Sequence, residues 1–224
     1  MIRVPSNKVL VVFIDLDDTI TTSKINNTYH FIKLFYKIRG DIARLLLYEF
    51  VIRIMLFINK VIYTLRMLLK LSNTSSTSMD TILLSILFVG YNVELLKEFS
   101  IKWVYSLLKL RLFNEKILRW IRFLKGNGAK LVLLTACTEL PACVIAKYLG
   151  FDTCFARRFI TKWSIVMGMK DVESIPILKL KNIIKFKKML SCNNVCVVYI
   201  VDKTSASVEQ QLFKTKMFDY VIVV

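Results

Sequence analysis

Four short runs along the chain are apolar without alternation: residues 9–14 (VLVVFI), 130–135 (KLVLLT), 195–201 (VCVVYIV) and 220–224 (YVIVV). A strand with one wet face alternates apolar and polar positions, whereas a strand covered on both faces does not. The four runs therefore predict strands of a parallel sheet. The last three are separated by stretches with helical spacing, 139–149 (ELPACVIAKYL) and 205–215. Strand–helix alternation of this kind predicts an α/β fold with a Rossmann-like parallel sheet core and helices on both faces.

Between the first two strands the pattern changes. Residues 25–125 are rich in Leu, Ile, Phe, Lys and Arg at helical spacing. Residues 29–39 and 41–71 predict one or two long amphipathic helices, and further helices are expected over 93–110 and 114–125. The polar stretch 72–78 (SNTSSTS) breaks the pattern and predicts a helix beginning near Met79. The GNG at 126–128 then delivers the chain into the strand at 130. The expected organisation is an α/β core from residues 1–24 and 126–224, with 25–125 as an inserted α-helical cap subdomain. Residues 153–169 predict a β-hairpin or irregular flap.

The chemistry gathers where the strands stop. In an open α/β sheet, ligands collect at the carboxyl ends of the strands. The first strand ends in Asp15-Leu16-Asp17-Asp18-Thr19, the second in Thr135-Ala136-Cys137-Thr138, and the third in Asp202. These placements would put carboxylates and hydroxyls on one rim, facing a polar crevice. Clustered carboxylates are costly unless a cation neutralises them. Hard oxygen ligands suit Mg²⁺, which keeps some of its water and also binds substrate phosphate.

Composition narrows the function classes. Thirty-three Lys and Arg stand against 16 Asp and Glu, a net charge of +17, and 55% of residues are hydrophobic. The basic residues are spread out, with no run longer than two, which favours a general compositional bias over a dedicated nucleic-acid surface. No uninterrupted apolar stretch reaches the roughly 18 residues of a membrane-spanning helix. The apolar run near the N-terminus stops at Asp15 without a small-residue cleavage site and is read as a strand. Five cysteines without CxxC spacing suggest neither a disulfide framework nor a zinc site, so the expected location is cytoplasmic. His30, the single histidine, lies in an apolar helical pattern and is read as structural.

Four segments, in order, carry a resemblance to the haloacid dehalogenase superfamily, in particular its phosphoserine-phosphatase-like branch with a helical cap after the first motif. VVFIDLDDTIT is similar to that family's hydrophobic strand followed by DxDxT. LVLLTACTE resembles its second motif, a strand ending in Thr or Ser. ILKLKNII resembles the third, a helix bearing a lysine, and VVYIVD the fourth, a strand ending in an acid.

The resemblance implies roles for particular residues. Asp15 would be the nucleophile that forms an aspartyl-phosphate, and Asp17 the general acid and base. An offset of two puts these acids on one side of an extended segment. Thr19 would steady the loop. Thr135 and the backbone N–H of Ala136 would hold phosphoryl oxygens. Asp15, Asp202 and the backbone carbonyl of Asp17 would hold Mg²⁺. Asp18 occupies the variable position of DxDxT and could cap the next turn. The neutralising lysine is Lys179 or Lys181. Lys179 is followed by apolar residues at +1, +4 and +7 (Leu180, Ile183, Phe186), the pattern expected of a helix at that point, and Lys181 fits it less well.

The chain departs from the family at the fourth motif, which usually reads like GDSxxD. Here the glycine is Val201, the second acid is Ala206, and Lys203 brings a positive charge beside Asp202. Two classes of function follow. One is a Mg²⁺-dependent phosphomonoester hydrolase, with a phosphotransferase as its close chemical variant. The other is a catalytically impaired relative that binds a partner without turnover. Arg44, Arg53, Lys60, Arg66 and Lys70 lie among the apolar residues of 42–71. Such a helix either packs against its neighbours or lies on an anionic membrane. The expected partners are therefore a phosphorylated small-molecule or lipid-linked substrate and, for the cap, an anionic membrane surface; no nucleic acid is expected.

Overall fold

The computed structural model describes residues 8–22, 27–69, 87–171, 173–190 and 194–224. In chain order the elements are β1 (Val9–Ile14), α1 (Asn27–Arg39), α2 (Ile42–Leu69), α3 (Val93–Lys109), α4 (Glu115–Gly126) and β2 (Lys130–Thr138). There follow α5 (Glu139–Leu149), β3 (Thr153–Arg157), β4 (Phe159–Lys162), β5 (Ile165–Met169) and α6 (Ile175–Met189). The chain closes with β6 (Val195–Val201), α7 (Lys203–Val208), α8 (Gln210–Phe213) and β7 (Tyr220–Val223). The helix expected near Met79 lies outside the described residues.

Five strands form one sheet in the order β3-β2-β1-β6-β7, with every neighbouring pair parallel. Successive side chains alternate between its faces, and both faces are dry over β1, β2 and β6; β7, expected to be covered on both faces, is instead a largely exposed edge strand. Val12, Ile14, Leu131, Leu133, Val198 and Ile200 belong to one cluster, which continues into the inserted helices through Phe31, Phe35, Trp103 and Ile117. Val11, Phe13, Val132, Leu134, Val197 and Tyr199 pack on the other side against Ile183 and Phe186 of α6 and Leu212 of α8. That is why these strands read as unbroken apolar runs. The strand order reverses between β1 and β6, so the crevice of an open α/β sheet falls at their carboxyl ends.

The inserted helices lean on one face through aromatic contacts. Phe31 lies 5.1 Å from Phe99 and 5.6 Å from Trp103, centroid to centroid, and Phe35 lies 5.1 Å from Phe99. The Asn92 and Asn114 side chains cap α3 and α4 by accepting from the second and third N–H groups of each helix.

Two expectations need correction. The hairpin expected over 153–169 is confined to β4 and β5, while Thr153–Arg157 joins the main sheet as an edge strand paired with β2. Its Phe155 and Ala156 face opposite clusters, so five residues suffice to belong to the sheet. The helix expected over 205–215 is two short helices, α7 and α8, separated at Glu209.

Candidate active site

β1 delivers Asp15 to the rim while its N–H still donates to the Ile200 carbonyl at 3.0 Å. The chain then winds into a single turn over Leu16–Ile20. Both the backbone N–H and the hydroxyl of Thr21 donate to the Leu16 carbonyl, at 3.1 and 3.2 Å, and close that turn. Leu16, Thr19 and Ile20 are buried and anchor the turn, while Asp17 is half-buried and Asp18 exposed. Asp18 takes a left-handed conformation with φ of 58°, one that aspartate tolerates better than most residues. Asp15 and Asp17 themselves keep extended backbone, with φ of −75° and −66° and ψ of 160° and 133°, and Asp18 between them and Thr19 makes the turn. The buried Thr19 hydroxyl accepts from the Asp202 N–H at 2.9 Å and ties the turn to the end of β6.

Asp15 is buried and paired. Its Oδ1 accepts from the Leu16 N–H at 2.9 Å and lies 3.0 Å from Lys179 Nζ. Lys179, on α6, is also buried and donates to Tyr199 Oη at 2.9 Å and to Glu209 Oε1 at 2.6 Å. Tyr199 Oη in turn donates to Glu209 Oε2 at 2.8 Å. One cation is thereby shared between two carboxylates, with a phenol closing the ring. Burial alone would lower the Lys179 pKa, but the Asp15 and Glu209 carboxylates outweigh it and hold the pKa above the ordinary lysine value. Burial, with the same carboxylates, pushes the Tyr199 phenol well above its ordinary range, so it remains a donor. Burial also pushes the Glu209 carboxyl up, against the pull of Lys179.

The structure separates the two candidate lysines. Two residues further along a helix is about 200° around it. Lys181 accordingly faces solvent, where it pairs with Glu173, and does not reach Asp15. Of the two, it is Lys179 that lies beside Asp15.

Asp202 lies across the switch point from Asp15. Its Oδ1 caps α7, accepting from Thr204 N–H at 2.7 Å and Ser205 N–H at 2.9 Å. Its Oδ2 is buried with no partner among the described residues. An unsatisfied buried carboxylate oxygen is expensive, and a cation would satisfy it. Burial raises the pKa of the Asp18 carboxyl, and the nearby Asp202 and Asp15 charges raise it further, so the rim carries a negative field. Among the described residues no three His, Cys, Asp or Glu side chains form a metal cage. A donor set of two carboxylates, Asp15 and Asp202, with the Asp17 carbonyl and water, fits Mg²⁺, which is seldom fully caged by protein. Lys203 is exposed, so its charge is spent in water beside the rim.

On the other side of β1, β2 continues past Leu134 through a shift in register and pairs again at Thr138. The buried Thr135 hydroxyl accepts from the Cys137 N–H at 3.0 Å and shapes this bulge. Arg157 Nε donates to the Ala136 carbonyl at 3.1 Å, while its Nη1 donates to the carbonyls of Asp171 (2.6 Å) and Glu173 (3.0 Å), bracing the bulge from β3.

A family model for haloacid dehalogenase-like hydrolases matches residues 12–175. The chain belongs to that family. No curated protein matches it in sequence. Among solved structures it is similar to a protein of unknown function from Bordetella pertussis Tohama I, with 10% identity over 96% of this chain and 99% of that one, and a TM-score of 0.66. It is also similar to a substrate-bound phosphoserine phosphatase (16% identity, 97% and 94% covered, TM-score 0.56). A phosphoserine phosphatase described as a phospho-aspartyl intermediate analogue shares 18% identity, with 96% and 93% covered and a TM-score of 0.52. At these identities the likeness is one of fold.

Several residues of this haloacid dehalogenase-like hydrolase site carry no sequence signal of their own. Glu209 lies seven residues beyond Asp202, outside any motif, and Tyr199 reads as one more apolar residue of a strand. A helix break falling on an acid was the available hint for Glu209. Thr138 is the N-cap of α5, yet its buried hydroxyl makes no cap bond and has no partner among the described residues. His30 stands apart: its Nδ1 accepts from the Trp103 indole N–H at 2.8 Å, a packing contact between α1 and α3. Cys143 and Cys154 bring their sulfurs to 2.9 Å across α5 and β3 as free thiols.

Proposed function

We propose that this protein is a Mg²⁺-dependent phosphomonoester hydrolase working through an aspartyl-phosphate on Asp15. The observation that carries the reading is the buried Lys179–Asp15 pair at the sheet's switch point, where the neighbouring strand ends in Asp202 with an unsatisfied oxygen. A carboxylate attacks a phosphate dianion only if the mutual repulsion is neutralised. With Oδ1 held by Leu16 N–H and Lys179, Oδ2 of Asp15 is the oxygen that attacks phosphorus. The bond from phosphorus to the ester oxygen breaks, and Asp17 gives that oxygen its proton. Asp17, now ionised, takes a proton from water, whose oxygen attacks phosphorus and displaces Asp15, releasing inorganic phosphate. Asp15, Asp202 and the Asp17 carbonyl would hold Mg²⁺, which supplies further neutralisation of the phosphoryl oxygens when bound. Thr135 and the Ala136 N–H are the candidate phosphate contacts from β2. The fold's similarity to a phosphoserine phosphatase described as a phospho-aspartyl intermediate analogue supports this chemistry.

The rival reading, a binding protein without turnover, rests on Val201 and Ala206. Glu209 weighs against it: three residues downstream of 206 stands an acid that is buried and bonded to the motif lysine. The test is turnover of p-nitrophenyl phosphate with and without Mg²⁺, wild type beside Asp15→Asn. Metal-dependent turnover that falls by at least about a thousandfold in the variant is expected. Undetectable turnover together with absent Mg²⁺ binding by calorimetry would overturn the reading. Transfer of phosphate to an added alcohol would recast it as a phosphotransferase.

A further inference from the structure

The sequence of α2 places apolar residues at Ile42, Leu46, Phe50, Ile54, Phe57 and Val61, and every one of them is exposed. At 100° per residue they fall within about 120° of helix surface and extend for about 28 Å. The opposite side of the helix is the packed one: Tyr48 is buried there, and Leu45 leans on the same core. α2 thus has an inward face that holds it to the protein and an outward face that is equally apolar. Phe50 and Phe57, the largest side chains of the stripe, are 61% and 68% exposed. An exposed apolar strip of this length, interrupted only by Arg53 among its described residues, marks an interaction surface.

Charge identifies the occupant. Over residues 27–69 seven Lys and Arg stand against two acids, Asp41 and Glu49. Both acids are already neutralised, Glu49 by Lys33 at 2.8 Å and Asp41 by Arg44 at 3.6 Å. Arg53 is exposed within the arc of the stripe, and Lys37 and Arg39 are exposed at the end of α1, beside the start of α2. A second copy of the chain would bring the same positive field against itself on a protein of net charge +17. Nucleic acid matches the charge but offers nothing to leucine and phenylalanine side chains. An anionic bilayer matches both, with phosphates for the basic residues and an acyl boundary for the stripe. No helix among the described residues is long and apolar enough to cross a membrane, so the arrangement is one of lying on the surface.

We infer that α2 docks this protein on an anionic lipid bilayer through the stripe from Ile42 to Val61. The inference stands on surface chemistry and does not depend on the reaction at Asp15, so Asp15→Asn is expected to bind vesicles as wild type does.

Flotation of the full chain with vesicles tests it, using phosphatidylcholine alone and phosphatidylcholine mixed with phosphatidylglycerol, at low and high salt. The protein is expected to float with the anionic vesicles, more weakly at high salt, and to stay behind with the neutral ones. Phe50→Glu/Phe57→Glu is expected to lower anionic-vesicle binding at least about tenfold. Phe123→Glu, an equally exposed aromatic position on α4, is expected to leave it unchanged. Absent flotation with anionic vesicles overturns the inference, as does equal flotation of the double variant. A dimer in light scattering that the double variant dissociates would also overturn it, giving the stripe to a second copy. Should the double variant fail to fold, Phe50→Trp decides: blue-shifted emission quenched by brominated lipid supports docking, and unchanged emission refutes it.

Discussion

The crevice and the outer face of α2 invert the usual arrangement in opposite ways. At the crevice, Asp15, Lys179, Asp202 and Glu209 are charged and buried. On α2, Phe50 and Phe57 are apolar and exposed. The buried charges are held by short, mutually dependent bonds, with one oxygen left over on Asp202. The exposed apolar side chains are held by little beyond their own helix. Each region is costly in isolation, and under the function and docking proposed above each cost is lifted from outside, by a cation for the first and an apolar phase for the second. The lesson is that sites are found where burial runs against residue type, whichever direction the conflict takes.

The largest effect should come from breaking the crevice. Lys179→Met leaves Asp15 and Glu209 facing each other in a dry site. Unpairing a buried charge costs about 3–5 kcal/mol, so urea unfolding should show a fall of that size together with loss of phosphatase turnover. Glu209→Gln keeps the shape and leaves Lys179 its bond to Asp15, and the expected stability loss is smaller, about 1–3 kcal/mol. Its kcat should fall while the fold persists. Ala206→Asp in the Glu209→Gln background returns an acid to the family's usual position and should recover part of that kcat. A Glu209→Gln variant with full turnover would show that Glu209 is structural only.

The outer face of α2 should behave in the contrary way. Phe50→Ser is expected to change the unfolding free energy by no more than about 0.5 kcal/mol, the ordinary range for surface positions. Phe31→Ala, made in the aromatic cluster beneath, should cost about 3–5 kcal/mol. Equal losses in the two variants would mean that the stripe contributes to the core, and the contrast drawn above would fail.

Much of this contrast was legible in the sequence, for a physical reason. Doubly buried strands read as unbroken apolar runs, which marks β1, β2 and β6, while β7 reads the same way although it is a largely exposed edge strand; a strand that ends in Asp15 or Asp202 has to open onto something polar. α2 was legible from its spacing, but spacing cannot say which apolar residues meet the core. Tyr48 is buried and Phe50 exposed, two residues apart. β3 was missed because five residues with faces divided between Phe155 and Ala156 give no run. Glu209 was missed because a buried pair forms between residues 30 positions apart, a relation of the fold and not of local pattern. Lys179 was separable from Lys181 only through the apolar positions that follow it, which fix the side of α6 that turns inward.

The smallest expected effect concerns a group that belongs to neither region. His30 joins α1 to α3 by accepting the Trp103 N–H on Nδ1, so its own proton sits on Nε2. Partial burial lowers its pKa below the ordinary histidine value. The folded state therefore resists a proton that the unfolded chain accepts near the ordinary value of about 6.5. The unfolded state binds more protons in that window, so stability rises with pH there and its contribution is complete above it. Lowering the pH through about 6.5 should erode stability until the folded-state pKa is passed. Other groups titrate in the same window, so the measurement is a difference: melting temperature against pH for wild type and for His30→Gln, whose side-chain carbonyl can still accept from Trp103. Wild type should lose stability relative to the variant on acidification, and parallel curves would show that the α1–α3 contact carries no histidine-dependent penalty.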